Sequence, residues 1–154
     1  MKQPVKTAFE ILERFKDWNH KYIMCSGGKD SLVCLDLASR VWKDNFKVIY
    51  IEITGNTHEK CTKYAYRVAE EEYGVELIHL KHEEDFFEVL KSCGYPSTFW
   101  MGSRWCLHRF KDRVMSKFNS SNHLTITVSG IKQGDSQNRR RWILTEVVNG
   151  VAKN

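Results

Sequence analysis

Apolar residues recur along this chain with two periods, and the alternation between those periods outlines a fold. From 5 to 18, Val5, Ala8, Phe9, Ile11, Leu12, Phe15 and Trp18 fall at helical spacing with charged residues between them, which predicts an amphipathic helix laid against a core. Tyr22-Ile23-Met24-Cys25 is a short strand, at about 21 to 25. The stretch Ser26-Gly27-Gly28-Lys29-Asp30-Ser31 then leads into a helical pattern running to Trp42, with Asp30 or Ser31 expected near its N-cap. Phe46 to Ile53, rich in β-branched and aromatic residues, predicts a second buried strand that runs into a turn at Thr54-Gly55-Asn56-Thr57.

The same alternation continues. A helix is expected from His58 to Tyr73, with Gly74 at its C′ position and a third strand at Val75 to Leu80. Glu83 to Cys93 is helical and closed by Gly94-Tyr95-Pro96-Ser97, where proline blocks continuation. Arg104 to Phe118 is helical again, Leu124 to Ser129 predicts a fourth strand ending at Gly130, and Trp142 to Val148 predicts a fifth. Strands alternating with helices at this spacing give an α/β fold: a doubly wound, mainly parallel five-stranded sheet with helices on both faces. One domain over residues 1–154 is expected, with the helix of residues 1–19 packed on the sheet.

Composition narrows the setting. At 154 residues and 42% apolar content the chain has enough material for a real core, and no apolar run approaches a membrane span, so a cytoplasmic protein is expected. The five cysteines, Cys25, Cys34, Cys61, Cys93 and Cys106, form an odd set with no C-x-x-C pair, which argues against a disulfide framework and a zinc ribbon. Cys93, Cys106 and His108 lack the paired spacing of a metal site, and no metal is assigned. The net charge of +5 is spread along the chain except at Arg139-Arg140-Arg141. A small anion is the simplest partner for that distribution.

The glycine stretch supplies a place for such an anion. Between a strand and a helix, Gly27 and Gly28 would let backbone N–H groups approach a phosphate, Lys29 would add a charge, and Ser26 and Ser31 would add hydroxyl donors. The spacing is shorter than a Walker A loop. The ends of the first, second and fourth strands all carry polar turns, and ligands of open parallel sheets bind at such strand ends. Cys106, with Arg104, His108 and Arg109 beside it, is the candidate nucleophile, since neighbouring cations favour a thiolate.

Ser26 to Ser31 resembles the PP-loop of the adenine nucleotide α-hydrolase superfamily, and in particular that of the phosphoadenosine phosphosulfate (PAPS) reductase family. Three further segments match in the family's order. Thr54-Gly55 with Glu59 is similar to its Asp-Thr-Gly turn. Gly94-Tyr95-Pro96 followed by Arg104-Trp105-Cys106 and Lys111 is similar to its G-[FY]-P…R-W-C segment, and Gly130-Ile131-Lys132…Asp135-Ser136…Arg139 to its G-[IV]-[RK]-x-x-[ED]-S-x-x-R segment. The resemblance covers about residues 20 to 142.

The resemblance implies an adenylated nucleotide bound across the strand ends. Ser26, Gly27, Gly28, Lys29, Asp30 and Ser31 would hold its phosphates or sulfate, Thr54 and Gly55 would lie beside it, and Arg104, Lys111, Lys132 and Arg139 would neutralise its charge. Two departures bear on the reaction. Ile53 stands where the family has the aspartate of its turn, and Glu52 cannot replace it because neighbouring strand residues face opposite sides. Among the 154 residues no Glu-Cys-Gly-[Ile/Leu]-His segment and no cysteine follows Cys106, so the family's usual thiolate attack is not expected to have its usual attacker, and the adjacent-cysteine signature of iron–sulfur reductases is likewise not among them.

Three functions are therefore in view. The first is an oxidoreductase of sulfur metabolism that reduces PAPS or adenylyl sulfate with electrons from thioredoxin or glutaredoxin. The second is an ATP pyrophosphatase or adenylyltransferase, with Mg²⁺ at the nucleotide, serving sulfate activation or the thiolation of a nucleic acid. The third is a non-catalytic nucleotide-binding module that senses its ligand or works as a subunit with a partner. A homo-oligomer is expected in each case.

Overall fold

The structure, a computed structural model, describes residues 3–96, 104–121, 126–131, 146–148 and 151–153. Helix α1 (Gln3–Arg14) is followed by β1 (Lys21–Met24), α2 (Lys29–Trp42), β2 (Lys47–Glu52) and α3 (Glu59–Tyr66), which runs on as a π-helical segment over Arg67–Glu72. Then come β3 (Leu77–Lys81), α4 (Phe86–Cys93), α5 (Trp105–Leu107), a second π-helical segment at His108–Asp112, α6 (Arg113–Ser121), β4 (Ile126–Val128), β5 (Glu146–Val148) and β6 (Val151–Lys153).

The main sheet is wholly parallel, in the order β3-β2-β1-β4. Ile23 pairs with Val48 on one side and Val128 on the other, so β1 is central and its carboxyl end lies where the winding reverses. Adjacent residues of β1 show that both faces are covered. Ile23 enters a core with Leu12, Leu35, Ala38, Val48 and Val68, whereas the Tyr22 ring meets Phe118 of α6 edge-on at 5.2 Å. Both positions are buried, which is why a doubly wound sheet needs apolar residues in succession rather than in alternation.

Lys21 is buried on the first face, an unusual place for an ammonium group. Its Nζ donates to the carbonyls of Lys16 (2.8 Å) and Trp18 (2.6 Å) and sits 5.7 Å from the Trp42 ring centroid. Burial pushes its pKa down, and Asp17 opposes that shift only in part. Gly74, at φ 65°, occupies the left-handed position expected after the helix that ends at Glu72.

Two expectations are corrected. The main sheet has four strands among the described residues, not five: of the stretch Trp142 to Val148, residues 142–145 lie outside the described set, and β5 pairs antiparallel with β6 in a separate ribbon. Helix α2 also begins earlier than its sequence signals imply, with Gly28 as N-cap rather than Asp30 or Ser31. No helix among the described residues is long and apolar enough to cross a membrane.

Candidate functional site

The chain leaves β1 at Met24 but stays in register for one more residue, Cys25 N–H donating to Ile49 O at 2.9 Å. It then turns through Gly27, whose φ of 76° is a conformation that side-chain-bearing residues rarely adopt, and an added Cβ there would press within 3.2 Å of the Tyr64 ring. Helix α2 starts immediately, and Leu32 N–H makes a helical bond to Gly28 O at 3.0 Å.

Ser31 holds this turn closed. Its buried hydroxyl donates to Gly28 O (2.8 Å) and accepts from Ser26 N–H (3.2 Å), with Ser26 Oγ at 3.4 Å and Cys25 Sγ at 3.8 Å. Both principal bonds close the loop on itself. Gly28, by contrast, gives α2 no side-chain cap. The amides of the first turn have no intrahelical acceptor, and the helix dipole adds partial positive charge at that point. Lys29 extends outward, its side chain 83% exposed and its Nζ 3.2 Å from Asp30 Oδ1.

Across from the loop lies the turn after β4. Gly130 packs so closely that a Cβ on it would lie 2.8 Å from the carbonyl carbon and oxygen of Asp30 and 3.1 Å from Ser31 N. Between these two strand ends opens a cleft of about 460 Å³. Its polar side comes from Ser26, Gly28, Lys29, Asp30, Ser31 and Ser129, its apolar floor from Met24, Ile49 and Ile51, and its rim from Lys111 and Ile131. Lys111 reaches it from the π-helical segment His108–Asp112. A second cleft, of about 500 Å³, is larger but lies beside β3 and α6 and shares no residue with this one. The smaller cleft is the stronger candidate for chemistry because it combines the glycine loop, a helix start and the reversal of strand order.

The remaining predicted residues lie elsewhere. The Thr54 hydroxyl donates to His82 O and the Thr54 main-chain carbonyl accepts from Phe86 N–H at 2.8 Å, while Gly55, at φ 81°, lies against the Asp85 carboxylate, where any side chain would collide. These two residues join the end of β2 to the start of α4 and do not line the cleft. Arg104 is exposed at the start of α5, Cys106 is half-buried on that helix, and neither lines the cleft. Lys132, Arg139, Arg140 and Arg141 fall outside the described residues.

Glu52 behaves as strand alternation requires. Ile51 faces the cleft, while Glu52 accepts from Thr62 Oγ1 at 3.3 Å on the other face. His79 Nε2 lies 2.8 Å from Glu52 Oε2 but is not aligned for a ring N–H bond, so this contact is a close approach and not a hydrogen bond. Of the cysteines near the loop, Cys25 is buried, and burial, followed by Asp30 and Cys25, pushes the Cys34 thiol up. Among the described residues, no group of three or more His, Cys, Asp or Glu side chains is arranged to hold a metal ion.

Two parts of the site escaped the sequence reading. Ile49 and Ile51 could have been found from the two-residue period of β2, which sends both to one face. Ser129 is legible as a strand end, but its position beside the loop depends on β4 pairing with β1, and no local pattern encodes that.

Comparison with known proteins gives three results. The model of the phosphoadenosine phosphosulfate reductase domain matches residues 20–151. An uncharacterized protein of Methanocaldococcus jannaschii is 35% identical over 116 residues, which is 74% of this chain and 23% of that protein. The chain thus spans about a quarter of that relative's length. A crystal structure of phosphoadenylyl-sulfate (PAPS) reductase from Candida auris, a phosphate complex, superposes with a TM-score of 0.54 at 16% identity, covering 99% of this chain and 77% of that one. That likeness shows a shared α/β fold.

Proposed function

Since the chain belongs to the phosphoadenosine phosphosulfate reductase domain family, we propose that its loop cleft binds an adenylated nucleotide by the phosphate or sulfate end, with PAPS or adenylyl sulfate as the ligand. The observation that carries this reading is the meeting of an uncapped helix start with Lys29 and Lys111 on one cleft at the reversal of strand order. In it, Ser26, Gly27, Gly28, Asp30 and Ser31 shape the anion cradle, and Ser31 acts through the loop's geometry. Lys29 and Lys111 neutralise the ligand, joined by Arg104, Lys132 and Arg139 by analogy with the family. Thr54 and Gly55 act at one remove, by fixing the end of β2. Ile49, Ile51 and Ile131 offer the apolar surface that an adenine ring needs.

The reaction in this reading is reduction of the bound sulfonyl group to sulfite, with Cys106 as the nucleophile and a thioredoxin or glutaredoxin in the cytoplasm supplying electrons. A second reading is favoured by the position of Cys106, which is on α5 and outside the cleft lining. There the loop holds ATP, and the protein releases pyrophosphate while activating an acceptor. Mg²⁺ would then screen the phosphates, and Asp30 is the carboxylate on the cleft wall suited to sharing it with the nucleotide.

Calorimetric titration with PAPS, adenylyl sulfate, ATP and 3′,5′-bisphosphoadenosine tests the binding. Sulfite and pyrophosphate assays on the same samples test the reaction. Sulfite production abolished by Cys106→Ser supports reduction, pyrophosphate release supports the second reading, and tight binding with neither product leaves a nucleotide-binding module. Failure of all four ligands to bind would overturn the assignment of the cleft.

A further inference from the structure

The larger cleft, apart from the glycine loop, is bordered by five consecutive residues, His79, Leu80, Lys81, His82 and Glu83. Three of them, His79, Leu80 and Lys81, are successive residues of β3, and His82 and Glu83 continue the chain beyond its end. Side chains of successive strand residues point to opposite faces of a sheet, so a cavity bordered by all three strand residues runs along the strand's outer edge. The topology agrees: β3 ends the order β3-β2-β1-β4 and pairs, among the described residues, with β2 alone. Among the described residues its outer side is unpaired, so the backbone N–H and C=O groups there are turned to the cleft.

That edge is poorly defended. Proteins guard exposed edges with prolines, bulges or repeated lysines, yet Leu77-Ile78-His79-Leu80-Lys81 has one lysine, at its end. The opposite wall comes from α6, where Val114 and Phe118 are apolar and Arg113 and Lys117 are exposed. Three cations, Lys81, Arg113 and Lys117, thus flank the groove against one carboxylate, Glu83. Glu83 is 4.0 Å from Lys117 with both side chains largely in solvent, a spacing at which neutralisation is slight.

We infer that the open edge of β3 is a docking site for an extended acidic segment of a partner protein, which adds to the main sheet as a fifth strand with carboxylates facing Arg113 and Lys117. Strand addition uses the free backbone groups for affinity and the groove for side-chain choice. The sign of the groove selects an acidic occupant. It also disfavours a second copy of this chain, which carries a net charge of +5 and would bring another cationic edge to the same place.

The probe is a blocked heptapeptide of alternating glutamate and valine, titrated by fluorescence anisotropy at low salt and followed by hydrogen exchange. Saturable binding is expected, with slowed exchange confined to residues 77–81. The double variant Arg113→Glu, Lys117→Glu should weaken it by at least about tenfold, as expected for losing one or two charge-assisted contacts. The charge-matched control Lys6→Glu, on α1, should leave it unchanged. A peptide of the same charge N-methylated at alternate residues should not bind, because it cannot complete a ladder. Absence of saturable binding, protection elsewhere, equal binding of the methylated peptide or indifference to the double variant would each overturn the inference. So would displacement of the peptide by polyuridylate, or self-association through β3 seen by light scattering.

Discussion

Lys21 and Gly130 hold positions that no other residue type could take unchanged, for opposite reasons. Lys21 spends its hydrogen-bond donors on the carbonyls of Lys16 and Trp18 in the turn after α1, so Lys21→Met leaves both without that partner. A loss of about 1–3 kcal/mol is expected in urea unfolding. Burial holds the native ammonium below its ordinary pKa. In the alkaline window between that lowered value and the ordinary one the unfolded chain binds more protons, so wild-type stability should rise with pH there, and the methionine variant should lose the rise. Gly130 is constrained by space. In Gly130→Ala the new methyl would lie 2.8 Å from a main-chain carbonyl that cannot rotate aside, so the loop or the turn must shift. The expected result is a loss of about 1–3 kcal/mol by overpacking, accompanied by anion affinity at least about tenfold weaker in calorimetry.

At the level of elements, the segment that carries Lys111 is held at its base by ionic and aromatic contacts. Arg109 grips both carboxylate oxygens of Glu84, and Trp105 and Phe110 pack on Phe86. The Arg109 hydrogen bond holds the Glu84 carboxyl below the usual carboxylate range. Its contribution is complete above the unfolded value, about pH 4.3, and fades as acid reaches the lower folded value. Glu84→Gln should flatten the acid limb of a melting-temperature profile taken between about pH 3 and pH 6, and should weaken nucleotide binding through Lys111. Elements of this kind were only partly legible in the sequence. Strand and helix alternation through β4 follows from apolar period, and Gly74 from its place at a helix end. The partner of the last expected strand did not follow: Glu146–Val148 is a strand, as its composition implies, but among the described residues it pairs with Val151–Lys153, and Asn149-Gly150 in the sequence between them is a two-residue hairpin signal. The α2 N-cap was misplaced because Asp30 and Ser31 are good capping types, whereas Ser31 is committed to closing the loop. Thr54 and Gly55 were legible as a turn, but their role in seating α4 depends on Asp85, which is distant in sequence.

Across the whole molecule, ligand affinity and stability are linked. A nucleotide held by the folded cleft alone, at a hundredfold excess over its Kd, should add about 2.7 kcal/mol to unfolding, seen as a melting temperature raised by roughly 5–10 °C. Added sodium chloride should shrink the effect, because Lys29 faces solvent and its attraction is screened. The close approach of Gly130 to the Asp30 carbonyl also has a consequence for the order of folding. The loop is encoded near the start of the chain, yet β4, which brings its opposite wall, is the last strand of the main sheet in chain order among the described residues. A contact of such long sequence separation forms late, after the closure entropy of the intervening chain has been overcome. Anion binding should therefore appear only with the final cooperative step of refolding, and a nucleotide present from the start should slow unfolding much more than it speeds folding.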